Sequence, residues 1–560
     1  MKNKFKDFFT SKLFKKLLLA GAVTAGATAA ATVAVKTVKK RRGMPLSGGK
    51  GTLPHAKNVY ITGNSIAALA AAAYLIKDGG YDGSSIHIYG SPAHSALNEE
   101  YGSVGEVFTS LMRDIDAVTD EGVSICDIIE NSAFTPEPTV KIMDGSGNIR
   151  VLDISPSRTV LKAVNKALKS FEAGKLDEIS IREYFAGMSE IFDTDLFSFI
   201  EMSFGIRDEH KASEFAKRAE QVLVISPQTG FYDTLYYEFS AKDALEQYLT
   251  ENGADYHANA EVTGIEIVDD SVNAIHLNDN GTRMTIYLNK DDCLMFTAGN
   301  ISDNRSEGSA STSAPLIEEI PPSLSLWSQA ALNSDNFGIP ELILADCPDS
   351  MELSIVDENN YLTKRICELT SSDAEEGISL LLTGSNWRMK LSAEGLSSLY
   401  GSNEDLDKAI NDAAEVSDGA DVSDLTDEDI AAAEYIAAQT VTGCITVKGM
   451  YCGSYDNFVD KPMRECTGTE LLYELCCHLG IIDEWEEILR NIKLMMVVNY
   501  PYKTAPLATM QKHTTPELHP CSNCYCIGGF METSAPACTL EQEVLSAKLA
   551  AYSLIGVKNI

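Results

Sequence analysis

Basic residues are scarce in this 560-residue chain: 45 Lys and Arg face 81 Asp and Glu, for a formal net charge of -36 at pH 7. That scarcity excludes nucleic acid as a partner, because neutralising phosphates takes clustered cations. The one clear cluster is at the extreme N-terminus, where residues 1–43 hold eleven Lys or Arg against a single acid, Asp7. That segment carries +10, so the remaining chain carries -46. Strongly apolar runs are missing too. The uncharged stretch Leu17 to Val35 has 19 residues, but it is rich in Ala, Gly and Thr. It is just long enough, and only weakly apolar enough, to span a bilayer. Three readings stay open for it: a membrane anchor flanked by cations, a cleaved signal with Ala29-Ala30-Ala31 at the cut, or a marginal helix with no membrane role. The 13 cysteines lack two regular Cys-x-x-Cys pairs and sit in a chain too long for a small disulfide scaffold. They read as mostly reduced thiols. Cys521, Cys524 and Cys526, with Cys538, are close enough to suggest a metal site. Yet Tyr525-Cys526-Ile527-Gly528-Gly529 reads as a buried strand entering a glycine turn, where cysteine acts as a small apolar residue, so no metal is expected.

At 44% hydrophobic and 22% charged, the rest of the composition is that of a globular protein of two to four domains, on a prior of roughly 100 to 200 residues each. After the glycine-rich linker Met44 to Thr52, Val59-Tyr60-Ile61-Thr62 reads as a buried strand. Gly63-Asn64-Ser65-Ile66-Ala67-Ala68 follows, and then an alanine-rich helix. This is a G-x-S-x-x-A form of the dinucleotide fingerprint. Gly63 permits the tight turn, Ser65 lets the backbone approach a pyrophosphate, and Ala68 lets helix pack close on strand. Helix N-terminal amides then face the phosphates. The second strand, Ile86-His87-Ile88-Tyr89, ends at Gly90, where an acid that holds the ribose belongs. Further on, Val262–Ile267, Asn273–Leu277 and Met284–Leu288 read as a meander with its turn at Asp279-Asn280-Gly281. A buried strand from Cys293 ends in the small-residue turn Thr297-Ala298-Gly299. Cys526-Ile527-Gly528-Gly529-Phe530 and a helix from about Thr539 to Ile555 close the cofactor pocket.

Several segments, in order, resemble the oleate hydratases, the flavin-containing fatty acid hydratase family also called myosin-cross-reactive antigen. They are Ile61 to Ala72, Lys77-Asp78-Gly79, Ile86 to Tyr89, His210-Lys211-Ala212-Ser213-Glu214-Phe215, Thr297 to Asn300, Ala314-Pro315-Leu316, Ser385-Asn386-Trp387 and Thr539 to Glu543. The most specific is Lys461-Pro462-Met463-Arg464-Glu465-Cys466-Thr467-Gly468. The resemblance implies an α/β fold: a discontinuous Rossmann-like FAD-binding domain (57–125, 230–310, 515–560) with inserted fatty-acid substrate domains (126–229, 311–514). Residues 1–43 form a membrane-associating segment and 44–56 a linker. The resemblance further implies water addition across the cis double bond of a long-chain unsaturated fatty acid such as oleate, giving a 10-hydroxy fatty acid with no net redox change. FAD is then mainly structural and electrostatic. It also implies cofactor contacts at Gly63, Ser65, Ala68, Thr297, Gly299, Gly528, Gly529 and Glu541, substrate contacts at His210, Trp387 and Tyr451, and a homodimer.

The chain departs from the family where the chemistry is carried. The family's long glycine-rich loop is shortened to Ser91–Val107, and its catalytic glutamate aligns near Ser103 or Gly105. Glu106 is the nearest acid, with Glu99 and Glu100 as alternatives. Thr234-Leu235-Tyr236-Tyr237-Glu238-Phe239-Ser240 resembles the family's tyrosine segment with one residue deleted, so Tyr236 is the expected proton donor and Tyr237 its alternative. His210 sits on an amphipathic stretch, Asp208 to Val222, and also reads as a partly exposed helix residue. Asn403 to Ile430 holds eleven acids and one Lys, an acidic insertion that reads as a solvated face with a helix start near Thr426. The family's basic C-terminal tail has no counterpart before Ile560. The expectation is a cytoplasmic protein held on an anionic membrane by its N-terminal segment. A flavin-dependent double-bond isomerase and a non-catalytic fatty-acid-binding protein are the alternatives.

Overall fold

The computed structural model describes residues 56–90, 105–118, 124–126, 139–154, 157–172, 176, 179–224, 234–299, 305–317, 324–345, 349–357, 359–373, 377–393, 443–500, 515–536 and 539–557. The N-terminal basic segment, the acidic insertion, Glu99 and Glu100 lie outside them, as do Cys347 and Cys538.

Short apolar runs rich in β-branched residues build the first sheet. β1 (Val59–Thr62) pairs in parallel with β2 (Ile86–Tyr89) and with β9 (Cys293–Thr297), while β5 (Asp255–His257) and β16 (Cys524–Ile527) extend the two sides. The order is β16-β9-β1-β2-β5, all parallel. A parallel sheet is covered on both faces, which is why β1 and β16 are buried along their whole length rather than alternating, while the edge strand β5 is partly exposed. On one face lie the helices Ile66–Lys77, Glu106–Asp114, Thr234–Glu251 and Leu540–Leu554. Ala67, Ala68 and Ala70 to Ala73 are fully buried, and their small side chains let the C-terminal helix pack closely on the first. The other face carries the helix Ser325–Asn333 and an antiparallel meander of β6 (Ala260–Val268), β7 (Ser271–Asp279) and β8 (Thr282–Tyr287). The meander turns at Asn280 and Gly281, both with positive φ, the geometry that suits strand twist.

The second sheet is eight-stranded and mixed. Its strands are β3 (Val140–Met143), β4 (Ile149–Val151), β10 (Ser306–Ser309), β11 (Ser350–Asp357), β12 (Ile378–Leu382), β13 (Met389–Ala393), β14 (Gly443–Met450) and β15 (Ile492–Tyr500), in the order β10-β15-β11-β14-β13-β12-β3-β4. Every neighbouring pair is antiparallel except β3 with β12. In β11 the apolar residues Met351, Leu353 and Ile355 alternate inward with no exposure, as period-two patterning demands. They pack on the helices Tyr361–Thr370, Gly468–Leu479 and Trp485–Asn491. The helix Gly468–Leu479 explains part of the Lys461–Gly468 motif. Thr467 and Glu470 form a reciprocal capping box, and Gly480 ends the helix at φ 69°. Helices Arg158–Glu172, Asp195–Phe204 and Ala212–Val224 form a third unit around β3 and Leu381 of β12. The fold is α/β with a Rossmann-like parallel sheet, and the chain passes between the two sheets four times.

Candidate functional site

In open parallel sheets ligands bind beyond the carboxyl ends of the strands, where the connections diverge to either side. Here that point lies between β1 and β9, and hydrogen bonds hold it together. The Thr297 N–H donates to Thr62 Oγ1 at 2.9 Å, and Thr297 Oγ1 donates to the Thr62 carbonyl at 2.6 Å. Gly63 follows at φ 85°, and a Cβ there would lie 2.5 Å from Thr297 Oγ1. Glycine is required on both counts. Ser65 caps the first helix by accepting from the Ala68 N–H at 3.4 Å, and Ala68 is fully buried beneath it. Gly299 and Gly528 have φ of 91° and 113°. The Gly528 N–H is held by Ser546 Oγ at 2.8 Å, and its open side has no atom within 4 Å of a Cβ position. Gly529 continues that turn. The residues present therefore fit a dinucleotide such as FAD: a glycine turn, a helix N-terminus and an unfilled glycine face meet on one edge.

The missing acid at Gly90 has a steric cause. Gly90 donates its N–H to the His257 carbonyl at 3.0 Å, and a Cβ on it would lie 2.6 Å from Asn64 Cβ and 2.9 Å from its Cγ. Asn64 is buried and fills the space into which an acid at position 90 would project. No local pattern announces this, because Asn64 is a free position of the fingerprint.

Glu541 takes a different place from the expected one at the cofactor. Its two carboxylate oxygens each accept a backbone N–H, from Val107 and Phe108, both at 2.9 Å. The side chain thus caps the helix Glu106–Asp114, whose own N-cap, Gly105, has no side chain to do so. A Cβ on Gly105 would overlap the Glu541 carboxyl group. Burial, and secondarily the nearby Glu106 carboxylate, push the Glu541 pKa above the usual range. Gly105 can therefore not be exchanged for the family's glutamate without moving Glu541. Glu106 itself is exposed on the first turn of that helix. Tyr236 lies in the first turn of the helix Thr234–Glu251, with its side chain outside the described residues. That helix leads into β5, so its first turn and Glu106 stand near the same carboxyl edge.

The three expected substrate residues lie on the second sheet and the unit beside it. His210 is buried in the turn before the helix Ala212–Val224 rather than exposed upon it, and its Nδ1 accepts the Arg207 N–H at 3.0 Å. Trp387 has no exposure, and its indole N–H donates to the Ser454 carbonyl at 2.7 Å. It belongs to the apolar core of the second sheet. Tyr451 lies among charged groups instead of apolar ones. Arg207 stacks on its ring at 3.6 Å from the centroid, a neighbour that sequence spacing did not suggest. One turn, 207–211, joins the two sheets: Lys211 approaches Glu532, just beyond the Gly528 turn, at 3.7 Å.

The profile of the MCRA family matches residues 56–395 and 436–552, across both sheets. The chain belongs to the MCRA family. Two relatives are an oleate hydratase of Streptococcus pyogenes serotype M49 (strain NZ131), 23% identical over 89% of this chain and 85% of that one, and a linoleate hydratase of Lactiplantibacillus plantarum, 24% identical over 88% and 93%. Among solved structures, an oxidoreductase from Methanosarcina mazei aligns with a TM-score of 0.45 at 11% identity, over 89% of this chain and 100% of that one. The strand order, not that loose likeness, defines the fold.

In this MCRA-family protein Cys524 and Cys526 lie in β16, and Cys521 forms a backbone bridge with Cys524. Cys521, Cys524 and Cys526 are buried, and burial pushes the Cys521 thiol up to about 12. The group with metal-ligand spacing among the described residues is Asp456, Glu474 and His478. Its carboxylates are already engaged: Asp456 by Ser385 and Asn386, Glu474 by the N–H groups of Asn457, Phe458 and Val459. The His478 imidazole bridges them at 3.2 Å each, and despite its desolvation their hydrogen bonds raise its pKa to about 9. No helix among the described residues is long and apolar enough to cross a membrane.

Proposed function

We propose that the protein is a fatty acid hydratase that binds FAD at the carboxyl edge of the parallel sheet and adds water to the cis double bond of a long-chain unsaturated fatty acid, giving a 10-hydroxy product. The observation that carries this reading is the family match running through both sheets, with the glycine turn and Thr62–Thr297 link intact at the cofactor edge. Hydration leaves the substrate with no net redox change, so bound flavin supplies order and charge. Glu106, on a helix N-terminus at that edge, accepts a proton from water as its oxygen attacks one alkene carbon. The Tyr236 hydroxyl gives its proton to the other carbon, and the proton taken up by Glu106 then returns through solvent to the phenolate, which restores both groups. Excluding water from the rest of the acyl path keeps both groups tuned. The basic N-terminal segment holds the protein to anionic membrane from the cytoplasmic side, and the enzyme works as a homodimer.

The test is incubation with oleate and with linoleate, with and without FAD, followed by mass spectrometry. A product heavier by one water is expected, and Glu106→Gln and Tyr236→Phe should each abolish it. Full activity in both variants would remove these residues from the mechanism. A second reading, a non-catalytic fatty-acid-binding protein, is favoured by two observations: Asn64 filling the ribose-acid space and Glu541 closing position 105. Purified protein without flavin absorbance after reconstitution, and without a hydrated product, would decide for it.

A further inference from the structure

Among the described residues, the meander that covers the parallel sheet ends in a strand with nothing on its outer side: β8 pairs with β7 along one edge, and no strand pairs with the other. The remaining sheet edges are short or guarded. β4, β5, β10 and β16 have three or four residues each. β6 has nine, but it breaks register twice and lies against the helix Ser325–Asn333. β8 has six residues with no proline, no lysine and no break in register, so it lacks the devices by which edges are ordinarily blunted. Its side chains are open to solvent as well, with Tyr287 73% and Met284 46% exposed.

The turn decides which groups that edge offers. Asn280 and Gly281, at φ 48° and 87°, form a two-residue turn flanked by the pair Asp279 and Thr282. The residues flanking such a turn exchange hydrogen bonds, and the pattern then alternates along the ladder. Thr282, Met284 and Ile286 therefore direct their N–H and C=O groups at β7, in keeping with the Leu288 N–H, which donates to the Asn273 carbonyl at 2.9 Å. Arg283, Thr285 and Tyr287 direct theirs outward. The side chains alternate too. Met284 and Ile286 lie opposite the buried Leu277 and Ile275, on the face packed against the parallel sheet, while Arg283, Thr285 and Tyr287 share the solvent face.

We propose that β8 pairs in antiparallel fashion with β8 of a second copy of this chain, joining two three-stranded meanders into one sheet. A twofold axis through a sheet keeps facing residues on the same face, so it passes at a residue and not between two. Of the three residues with outward groups, Thr285 gives the longest overlap, residues 283 to 287. Thr285 then faces Thr285 of the second copy, and Arg283 faces Tyr287 of the second copy. Each such pair exchanges two hydrogen bonds, roughly six in all. The side chains match in the same register. The Arg283 guanidinium meets the exposed Tyr287 ring across the axis, a cation–π pair, and Met284 meets Ile286, an apolar pair. One strand thus complements itself along its backbone and on both faces, which favours a second copy over an unrelated extended peptide. The proposal rests on the homodimer of the reading above and names its surface; it requires neither flavin nor fatty acid.

The experiment is sedimentation equilibrium of the full chain, kept reduced, between about 1 and 50 µM, the range in which a small interface associates. A monomer–dimer equilibrium is expected, and Thr285→Pro should weaken it about tenfold or more. That proline removes an outward N–H and leaves the β7 ladder intact. Arg283→Glu, which changes no backbone group, should weaken it about threefold or more by setting an acid against the Tyr287 ring. Thr285→Cys places two thiols at facing positions, with Cα atoms about 5.5 Å apart and within disulfide reach. Diamide, which takes up the two thiol hydrogens, should then give a covalent dimer on a non-reducing gel beyond any formed by the parent chain. A parent chain that stays monomeric throughout leaves the edge to another partner and overturns the proposal. So does a dimer unweakened in both Thr285→Pro and Arg283→Glu, or a Thr285→Cys chain that cross-links no more than the parent. If Thr285→Pro misfolds by circular dichroism, the other two variants decide. Incubating the same samples with oleate and FAD separates the two readings. A cross-linked dimer without hydrated product keeps the surface and removes the hydratase, and hydrated product from a monomeric parent does the reverse.

Discussion

The cap that Glu541 places on the helix Glu106–Asp114 can be broken from the other side, by adding one methyl group at Gly105. Gly105 has an ordinary φ of -86°, so alanine there brings no backbone strain, and any effect must come from its Cβ. That atom would overlap the Glu541 carboxyl group and expel it from the Val107 and Phe108 amides. Two hydrogen bonds to a charged acceptor are worth about 1.5 to 3 kcal/mol each. Part of this is returned because the displaced carboxylate regains water that burial had denied it. A net local cost of about 2 kcal/mol remains, which corresponds to about a 30-fold loss of protection against exchange. Hydrogen exchange read by mass spectrometry on a peptide covering residues 105–115 measures this directly, without requiring the whole chain to unfold in one step. Glu541→Ala should cost a similar amount, and the Gly105→Ala/Glu541→Ala double variant no more than the worse single, because both remove the same cap. Unchanged protection in Gly105→Ala, or losses that simply add in the double variant, would refute the reasoning.

Four shorter expectations concern the cofactor edge, His478 and the charge of the N-terminal segment. Gly63→Ala, strained at φ 85° and crowded against Thr297 Oγ1, should lower FAD affinity about tenfold or more, read as retained flavin absorbance after gel filtration. Gly90→Asp should reduce flavin binding instead of supplying a ribose acid, and Gly90→Asp combined with Asn64→Gly should recover it; equal binding in the single and double variants would contradict the steric account. His478 has a folded pKa of about 9, above its ordinary 6.5. Its contribution is therefore complete below pH 6.5 and is lost as pH rises from 6.5 to about 9. With allowance for solvent at the ring, the loss is on the order of 2 kcal/mol; His478→Gln should flatten the thermal midpoint across that window. Deleting residues 1–43, which carry the +10, should release the protein from anionic liposomes in a sedimentation assay, and unchanged sedimentation would separate that segment from membrane binding.

The parallel sheet was legible because its signals are local. Val59 to Thr62 is an apolar run before a glycine turn, the meander has its Asn280-Gly281 turn, and Leu540–Leu554 is a helix close to the limits its sequence suggests. The second sheet was not, since β3 finds its parallel partner β12 more than 200 residues away, and no local pattern specifies such a pair. The same distinction holds in the site. Gly63 and Thr297 could be named from the fingerprint and the returning strand. The roles of Asn64 and Glu541 could not, because each is set by a neighbour far along the chain. His210 looked like a helix residue because the amphipathic pattern begins before the helix does; its ring instead ties down the Arg207 turn. Tyr451 reads as one more aromatic until Arg207 is placed on it.

The edge strand β16 and the glutamate that caps the helix beginning at Glu106 both come from the last part of the chain. During synthesis, the first strands and their helix emerge long before these partners exist. At roughly 5 to 20 residues per second, the ribosome needs on the order of half a minute to two minutes to supply them. Until then β9 lacks its outer neighbour, and the Val107 and Phe108 amides lack their acceptor. The cofactor edge is thus completed only long after its first strands have been made. Chains cut short even modestly, before residue 524, would retain most of the sequence but neither closing element, and should be recognised by chaperones and proteases rather than accumulate as flavin-loaded fragments.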